Sequence, residues 1–351
     1  MHDTNRPTAC GCCGGALLPR MEGVFDDRYG QPGVFGLAQC HDCGVTETLP
    51  RLTEKELPAL YTTYYPRRNL DPSSVYVPGR SPSHWRSKFS RWWQGTDNQG
   101  QYDAKPGMTV LDYGCGAGQS LLELRAMGAD AYGIEADGNV ARIAAHYGLQ
   151  IHIGSIYDHP FPTIKFDLIV LNQVLEHIPE PLAALNLLTR LLKAGGRLVV
   201  AVPNTGSIYH FLFGKHWINW HIPYHLHHFN RASLRSLAQR AGWRIVSVRT
   251  VTPNLWTVLQ LRTLTSPAQR GVPNLMWLSD VSAAFTTIKP HLGRRALSRA
   301  IQAGARVSIP LIALFNRMID LCGLGDSLLV VFERRDGQEN ATGADVNGCT
   351  L

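Results

Sequence analysis

From Lys105 onward the chain alternates short apolar runs with longer amphipathic ones. Met108–Tyr113 centres on Val110 and Leu111 and enters a glycine turn, which predicts a buried strand. Gln119–Met127 carries helical spacing, Asp130–Glu135 reads as a strand, Gly138–Tyr147 as a helix and Gln150–Ile153 as a short strand. Phe166–Leu171 is a strong strand, Glu180–Lys193 a helix, and Arg197–Val202 a strand closed by Pro203 and Asn204. Strands that alternate with helices predict a parallel sheet with helices on both faces. Arg231–Ala241 then reads as a helix, Arg244–Thr250 as a strand and Ser327–Glu333 as the last strand. Between those two strands lies an apolar insertion, 251–325, with helices expected around Leu255–Leu264, Leu275–Ile288 and Arg295–Leu321.

The first hundred residues follow a different pattern. Residues 51–65 read as a short helix ending before Pro66, and 66–83 as a linker rich in Pro, Ser and Arg. His84–Gln94 places Trp85, Phe89, Trp92 and Trp93 at helical spacing among basic residues. The expectation is a helix packed on the main domain, with an interaction surface as the second reading. The domains predicted are 1–50, 51–104, 105–250 with 326–335, the insertion 251–325, and a polar, disordered tail 336–351.

Charge and cysteine content sharpen this picture. The 351 residues are 44% hydrophobic and 17% charged, which excludes a disordered or collagen-like chain. The net charge of +7 favours anionic partners. Most of it comes from the insertion, with its eight basic and two acidic residues. No apolar run is long enough to span a bilayer, and the N-terminus lacks the apolar stretch of a secretory signal. Gly348 stands where a prenylation box needs Cys. A cytoplasmic chain is expected, with a peripheral place at the inner face of a membrane as the sharper reading of 251–325. A helical cap or a dimer interface is the plainer one.

Five of the eight cysteines fall within the first 43 residues. Cys10-Gly-Cys-Cys13-Gly14 and Cys40-His-Asp-Cys43-Gly44 are two C-x-x-C-G knuckles, and in a reducing compartment such pairs point to metal. Cys10, Cys13, Cys40 and Cys43 supply the four thiolates of a closed, structural zinc site. Cys12 and His41 are spare ligands beside them.

The turn Val110-Leu-Asp-Tyr-Gly114-Cys-Gly116-Ala-Gly118 joins a strand to a helix, so a ligand can approach the backbone at the helix N-terminus. Glu135 ends the next strand, where a carboxylate accepts bonds from ribose hydroxyls. This stretch resembles the first motif of class I S-adenosylmethionine-dependent methyltransferases. The resemblance continues through Gly154-Ser155-Ile156, through Phe166-Asp-Leu-Ile-Val-Leu-Asn-Gln-Val-Leu-Glu-His177-Ile-Pro, and through Leu191-Leu-Lys-Ala-Gly-Gly196. It implies a Rossmann-like α/β sheet of order 3-2-1-4-5-7-6, with the insertion before the last strand and the zinc ribbon in front. It further implies that Asp112 supports the loop, that Gly114, Gly116 and Gly118 form the cofactor turn and that Glu135 holds the ribose. Ser155 and Ile156 would flank adenine, and Asn172 and Gln173 would line the methionine end. Ser155 stands where the family often has Asp.

Lys215–Phe229 holds five His, two Trp and a Tyr, after the fifth strand and over the carboxyl ends of the strands. His225, helped by Tyr224, is the expected general base, and His228 is the second choice. The phrase Trp220-x-x-Pro-Tyr-His-Leu-x-x-Phe, with the two knuckles and Tyr64-Tyr65-Pro66, resembles bacterial methyltransferases of cell-surface sugar and glycan pathways. That implies methylation of a hydroxyl, or of a carbon, on a sugar-containing small molecule, a lipid-linked glycan or a related secondary metabolite. The alternative is an RNA methyltransferase whose ribbon binds RNA. Against nucleic acid, the basic excess lies away from the ribbon, and no Asn/Asp-Pro-Pro-Tyr follows the fourth strand.

Overall fold

A computed structural model describes residues 9–52, 56–65, 81–158, 160–264, 266–278 and 295–335, with isolated positions between 71 and 78. The tail 336–351 and most of the 66–80 linker lie outside these residues, as does the continuation of the helix expected to reach Ile288.

The chain builds two sheets. The larger contains β4 (Thr109–Tyr113), β5 (Asp130–Glu135), β6 (Gln150–Ile153), β7 (Phe166–Asn172), β8 (Leu192–Pro203), β10 (Trp243–Val251) and β11 (Ser327–Arg334). Its spatial order is β10-β11-β8-β7-β4-β5-β6. Numbered by their order within this sheet, the strands run 3-2-1-4-5-7-6 from the opposite edge, the order expected. The pairs β4–β5, β4–β7, β5–β6 and β7–β8 are parallel, whereas β11 is antiparallel to both β8 and β10. The central strands read as continuous apolar runs because both faces are covered. Val110, Leu111, Ile169, Val170, Leu171, Val199 and Val200 are all fully buried.

The helices on this sheet are α3 (Gln119–Ala126), α4 (Ala141–Tyr147), α5 (Pro181–Leu191) and α7 (Arg231–Arg240), whereas α6 (Ile208–Phe213) packs with the ribbon and Trp217. Proline opens α5, where a missing N–H costs nothing. Asn230 and Ser233 form a reciprocal capping box on α7. The insertion supplies α8 (Asn254–Thr263), a single turn α9 (Leu275–Leu278) and the long α10 (Arg295–Leu321). Two helices precede the sheet, α1 (Glu56–Tyr64) and α2 (Trp85–Gln94). Among the described residues, no helix is long and apolar enough to cross a membrane.

The smaller sheet is the N-terminal ribbon, β1 (Leu17–Val24), β2 (Phe35–Cys40) and β3 (Thr46–Leu49), with a fourth strand from far along the chain. That strand, β9 (His227–His228), pairs Thr46 with His228 and Glu47 with His227. The Thr48 amide donates to the Leu226 carbonyl at 3.0 Å, and its hydroxyl donates to the His225 carbonyl at 2.7 Å. The ribbon is therefore sewn to the histidine segment by main-chain bonds, a link that the cysteine pattern gave no sign of.

One expectation is corrected here. α2 does not pack its aromatic face on the domain. None of its residues is buried, and Trp85, Phe89 and Trp92 are 66%, 59% and 44% exposed. Among the described residues, its close ties run through the C-terminal half, where Arg91 also lies over the Tyr102 ring. The Trp92 carbonyl accepts from Arg317, and the Trp93 carbonyl accepts from Asn254. Helical spacing identifies an apolar face but not what covers it.

Because β9 has only the ribbon as sheet partner, a chain starting at residue 51 is expected to lose the order of its histidine segment. Circular dichroism and near-UV aromatic signals of that truncation, compared with the full chain, check this.

Candidate active site

The glycine turn leaves β4 at its carboxyl end and opens α3. Gly114, Gly116 and Gly118 have φ of 79°, 53° and 75°, a region that disfavours other residues. A Cβ on Gly114 would stand 2.4 Å from a Val174 methyl, and one on Gly118 would stand 2.6 Å from Leu149. These two glycines thus serve the packing of the turn against its own protein as well as an approach by ligand. The Gly116 amide donates to Glu135 Oε2 at 2.8 Å, and the Asp137 amide donates to Oε1 at 3.0 Å. These bonds fix the carboxylate at the end of β5 and leave lone pairs on both oxygens, the acceptor geometry a ribose diol needs. Asp112 is buried and accepts from Ser120 in the first turn of α3, while its Oδ1 has no donor. Burial pushes its carboxyl up to about 7. A glycine cradle, a half-free carboxylate and an orphaned buried oxygen at one helix N-terminus fit a nucleoside-bearing cofactor.

The other expected cofactor residues divide. Ser155 lies in the loop after β6, its amide on Asp158 and its hydroxyl accepting from the Tyr157 amide at 2.9 Å. Ile156 sits in the core at 1% exposure, so its side chain is not offered to the groove, whereas Tyr157 beside it is exposed. The carboxylate sought at position 155 stands three residues later, at Asp158. Asn172 Oδ1 accepts from the Gly100 amide at 2.7 Å, and its Nδ2 donates to Gln101 at 2.9 Å. The turn 100–103 is thereby laid across the end of β7. Gln173 holds φ at 57°, a left-handed conformation uncommon for such a residue, with its amide on the Ala201 carbonyl at 2.8 Å.

The histidine segment lies beside this end of β7. Of its five histidines, only His216 is exposed. Asp326, just before β11, anchors the segment. Ser207 and Trp217 donate to its Oδ1 at 2.6 and 2.8 Å, and Asn219 donates to its Oδ2 at 2.8 Å. His225 Nδ1 lies 2.9 Å from the Asn219 carbonyl. A carbonyl only accepts, so Nδ1 carries the proton and Nε2 holds the lone pair. That Nε2 is 3.4 Å from His221 Nδ1 and 3.9 Å from Glu176 Oε1. Burial drives the His225 pKa well below the usual range, so the ring is neutral. His177 Nδ1 lies 2.8 Å from the Tyr224 carbonyl, which fixes the same tautomer there.

His228, the second candidate for base, has Nε2 3.1 Å from the Thr48 hydroxyl, whose own proton goes to the His225 carbonyl. His228 is therefore the donor in that contact and ties the segment to the ribbon. Tyr224 is fully buried, its hydroxyl has no partner, and burial raises its pKa. Tyr29, Tyr61 and Tyr65 stand around it with ring centroids 5.4–5.5 Å away. The Tyr64-Tyr65 motif thus contributes Tyr65 to an aromatic wall over the histidines.

Sequence reasoning passed over Glu176. It is 1% exposed, and neither carboxyl oxygen has a hydrogen-bond donor. Burial pushes its pKa up to about 8. Ligand atoms of Glu176, His177 and His225 lie within 4.8 Å of one another. The only sequence signal was the Glu-His pair after β7, already spent on recognising the motif.

The knuckle cysteines converge as expected. Cys10 Sγ lies 3.6 Å from Cys43 Sγ, and Cys13 Sγ lies 3.3 Å from Cys40 Sγ. Gly14 and Gly44 take φ of 77° and 73°, and amides of Cys12, Gly15 and Cys43 point at the sulfurs. All four ligand atoms fall within 4.8 Å, a donor set that fits tetrahedral zinc. Of the spare ligands, His41 is exposed and bonded to Asp42. Buried Cys12 groups instead with Cys10 and Glu47, and Glu47 is held by Arg51 and the Gly11 amide.

Metal analysis of the purified chain is expected to give about one zinc, lost when Cys10 and Cys43 are both replaced by Ser. Glu176→Gln is expected to change how stability depends on pH. An acid whose folded pKa is raised contributes stability present below its unfolded pKa of 4.5 and lost as pH climbs towards about 8. The variant should match the wild type near pH 4.5 and exceed it at pH 8 by on the order of a few kcal/mol, read as melting temperatures.

Comparison with known proteins agrees with this geometry. Residues 82–248 match the methyltransferase-domain family. The ubiquinone biosynthesis O-methyltransferase of Alkalilimnicola ehrlichii is 26% identical over 167 residues, which cover 38% of this chain and 65% of that protein. Its counterpart in Xanthomonas oryzae is 30% identical over 146 residues, 39% of this chain and 60% of that protein. The chain thus spans less than two thirds of these relatives' length. Among solved structures, a methyltransferase complexed with the Trm112 methyltransferase activator of Haloferax volcanii superposes over 70% of this chain and 90% of that one. Its identity is 19% and its TM-score 0.42. An S-adenosylmethionine-dependent methyltransferase from Mesorhizobium loti covers 65% and 92%, at 14% identity and TM-score 0.40. The strand order and the glycine turn are those of a Rossmann-like methyltransferase fold, and the family match spans the same strands, residues 82–248.

Proposed function

We propose that this chain transfers a methyl group from S-adenosylmethionine to a hydroxyl of a sugar-bearing acceptor, a small molecule or a lipid-linked glycan. The observation that supports the reading is that two groups border the segment after β7, one at Val174 and one at Glu176. One is the glycine turn with Glu135, and the other is His225 with its Nε2 lone pair. When bound, the cofactor supplies an electrophilic methyl on a sulfonium centre. Asp112, Gly114, Gly116 and Gly118 form its turn, Glu135 accepts from its ribose, Ser155 and Tyr157 border its base, and Asn172 and Gln173 border its methionine end.

His225 Nε2 takes the acceptor's hydroxyl proton as the oxygen attacks. Its other nitrogen is pinned to the Asn219 carbonyl, so the base atom has a single direction. Tyr224 shapes the floor beneath the acceptor, and His228 holds the backbone of this segment to Thr48. The tyrosine wall offers flat apolar faces, which suit the C–H faces of a pyranose. The ribbon's β3 edge is taken up by β9, which favours an architectural role for the ribbon over an RNA-binding one.

Gly116→Val and Glu135→Ala are expected to abolish or strongly weaken S-adenosylmethionine binding by calorimetry. His225→Ala is expected to retain it and to slow turnover by roughly 10²–10⁴-fold. The acceptor would be sought as a methyl-sized mass increase in extracted glycans and lipids of cells carrying the wild type but not His225→Ala. Unchanged cofactor affinity in both binding variants overturns the cofactor reading. Full activity of His225→Ala moves the base elsewhere.

A further inference from the structure

In the C-terminal half of α10 the outward face is apolar and the inward face carries polar groups. Asn316 and Arg317 are buried beside Ala313 and Ile319, whereas Leu311, Leu314, Met318 and Leu321 are 61%, 52%, 58% and 87% exposed. The inward polar groups are engaged, Arg317 Nε excepted. Asn316 accepts from Tyr209 at 2.7 Å and donates to Asn254 at 3.0 Å, and Arg317 pairs with Asp320 at 2.8 Å. The helix therefore cannot roll to hide its leucines without stranding these polar side chains.

Two further apolar faces adjoin it. On one side the Trp92 carbonyl accepts from Arg317, which brings the Trp85-Phe89-Trp92 face of α2 to α10. On the other side the Ile208 amide donates to the Leu324 carbonyl at 3.0 Å, which brings α6 alongside, and Phe211 of α6 is 83% exposed. All three helices sit at one end of the large sheet. α6 follows the end of β8, α10 leads to Ser327 opposite Pro203, and the segment after α2 donates to Asn172 at the end of β7. This is the end that carries the glycine turn and the histidines.

We propose that α2, α6 and α10 form a surface that rests on an anionic lipid bilayer, with α2 lying in the headgroup region. Charge decides among occupants. α2 bears Arg86, Lys88 and Arg91 and no acidic residue. In a symmetric dimer the same face meets itself, so these cations would oppose cations. A headgroup layer suits tryptophans interleaved with cations, because Trp rings favour the boundary between polar and apolar regions and Lys or Arg favours anionic lipid. The surface borders the acceptor end, so an acceptor anchored in lipid would reach the site without leaving the bilayer. These exposures and charges hold whether or not the chain transfers methyl groups.

The full-length chain is tested by co-sedimentation with vesicles of phosphatidylcholine alone or mixed equally with phosphatidylglycerol. Wild type is expected to bind the mixed vesicles, less so at high salt, and to bind neutral ones weakly. Arg86→Glu with Lys88→Glu should weaken binding by at least about 25-fold, from roughly five-fold for each lost cation. Trp85→Ser with Phe89→Ser should weaken it as well, as should Leu314→Gln with Met318→Gln. These side chains are exposed, so each variant should keep its S-adenosylmethionine affinity and melting temperature, which separates loss of docking from loss of fold. Failure of wild type to bind anionic vesicles overturns the proposal. So does vesicle binding unchanged in all three variants. So does a concentration-dependent dimer that Leu314→Gln with Met318→Gln splits, since that assigns the face to a second copy.

Discussion

One backbone bond, one hydroxyl and a two-residue strand pairing govern this molecule, where Thr48 of the ribbon meets Leu226 and His225 and where β3 pairs with β9. A strand of two residues has no stability of its own, and its neighbours in sequence are tight turns and rings. The ribbon supplies the missing edge. Its own smallness is in turn offset by four cysteines that suit a metal, because such a small sheet buries too little apolar area to stand alone. Order at the knuckles thus passes through β2 and β3 to the backbone of the candidate base. The cysteine cluster and the histidine cluster lie almost two hundred residues apart in sequence yet share one sheet.

Among the buried acids, Asp326, Asp112 and Glu176 stand in unlike circumstances. Asp326 receives three donors, Asp112 one and Glu176 none. Burial raises all three, to about 7, 7 and 8. Asp326 is structural, since its donors come from the segment it holds. Glu176 has no such occupation. It faces an imidazole lone pair across 3.9 Å, so acceptor meets acceptor unless a proton lies between. Natural interiors rarely keep such a contact without use.

The larger sheet was legible because each strand is an apolar run bounded by a helix of the opposite period, and because β4 through β8 pair mostly with neighbours in sequence. Its antiparallel end followed only from the family resemblance. The cofactor turn was legible because glycines with positive φ leave a mark in sequence. Three things were not legible. Ile156 and Tyr157 are adjacent and both apolar, and only the turn geometry decides which one faces out. The two residues of β9 carry no periodicity. The aromatic face of α2 has ideal spacing for burial, yet spacing records only that a face exists. The outward apolar face of α10 was hidden for the same reason, since an apolar run such as Ile309–Phe315 reads alike whether it faces in or out.

The position of β11 sets the order in which the chain can be completed. It is made after every other strand of this sheet, yet it lies inside the sheet, between β8 and β10. Until it arrives, the free edge of β8 is an open row of Val and Ala with unpaired amides, and β10 has no partner in that sheet. Asp326, which holds Trp217 and Asn219, arrives with it. A nascent chain can therefore form the glycine turn early, through β4 and β5, but cannot set the histidine segment until Asp326 and β11 have been made. The period between those events leaves an apolar strand edge exposed, the interval in which this protein is most open to mispairing and to capture by chaperones.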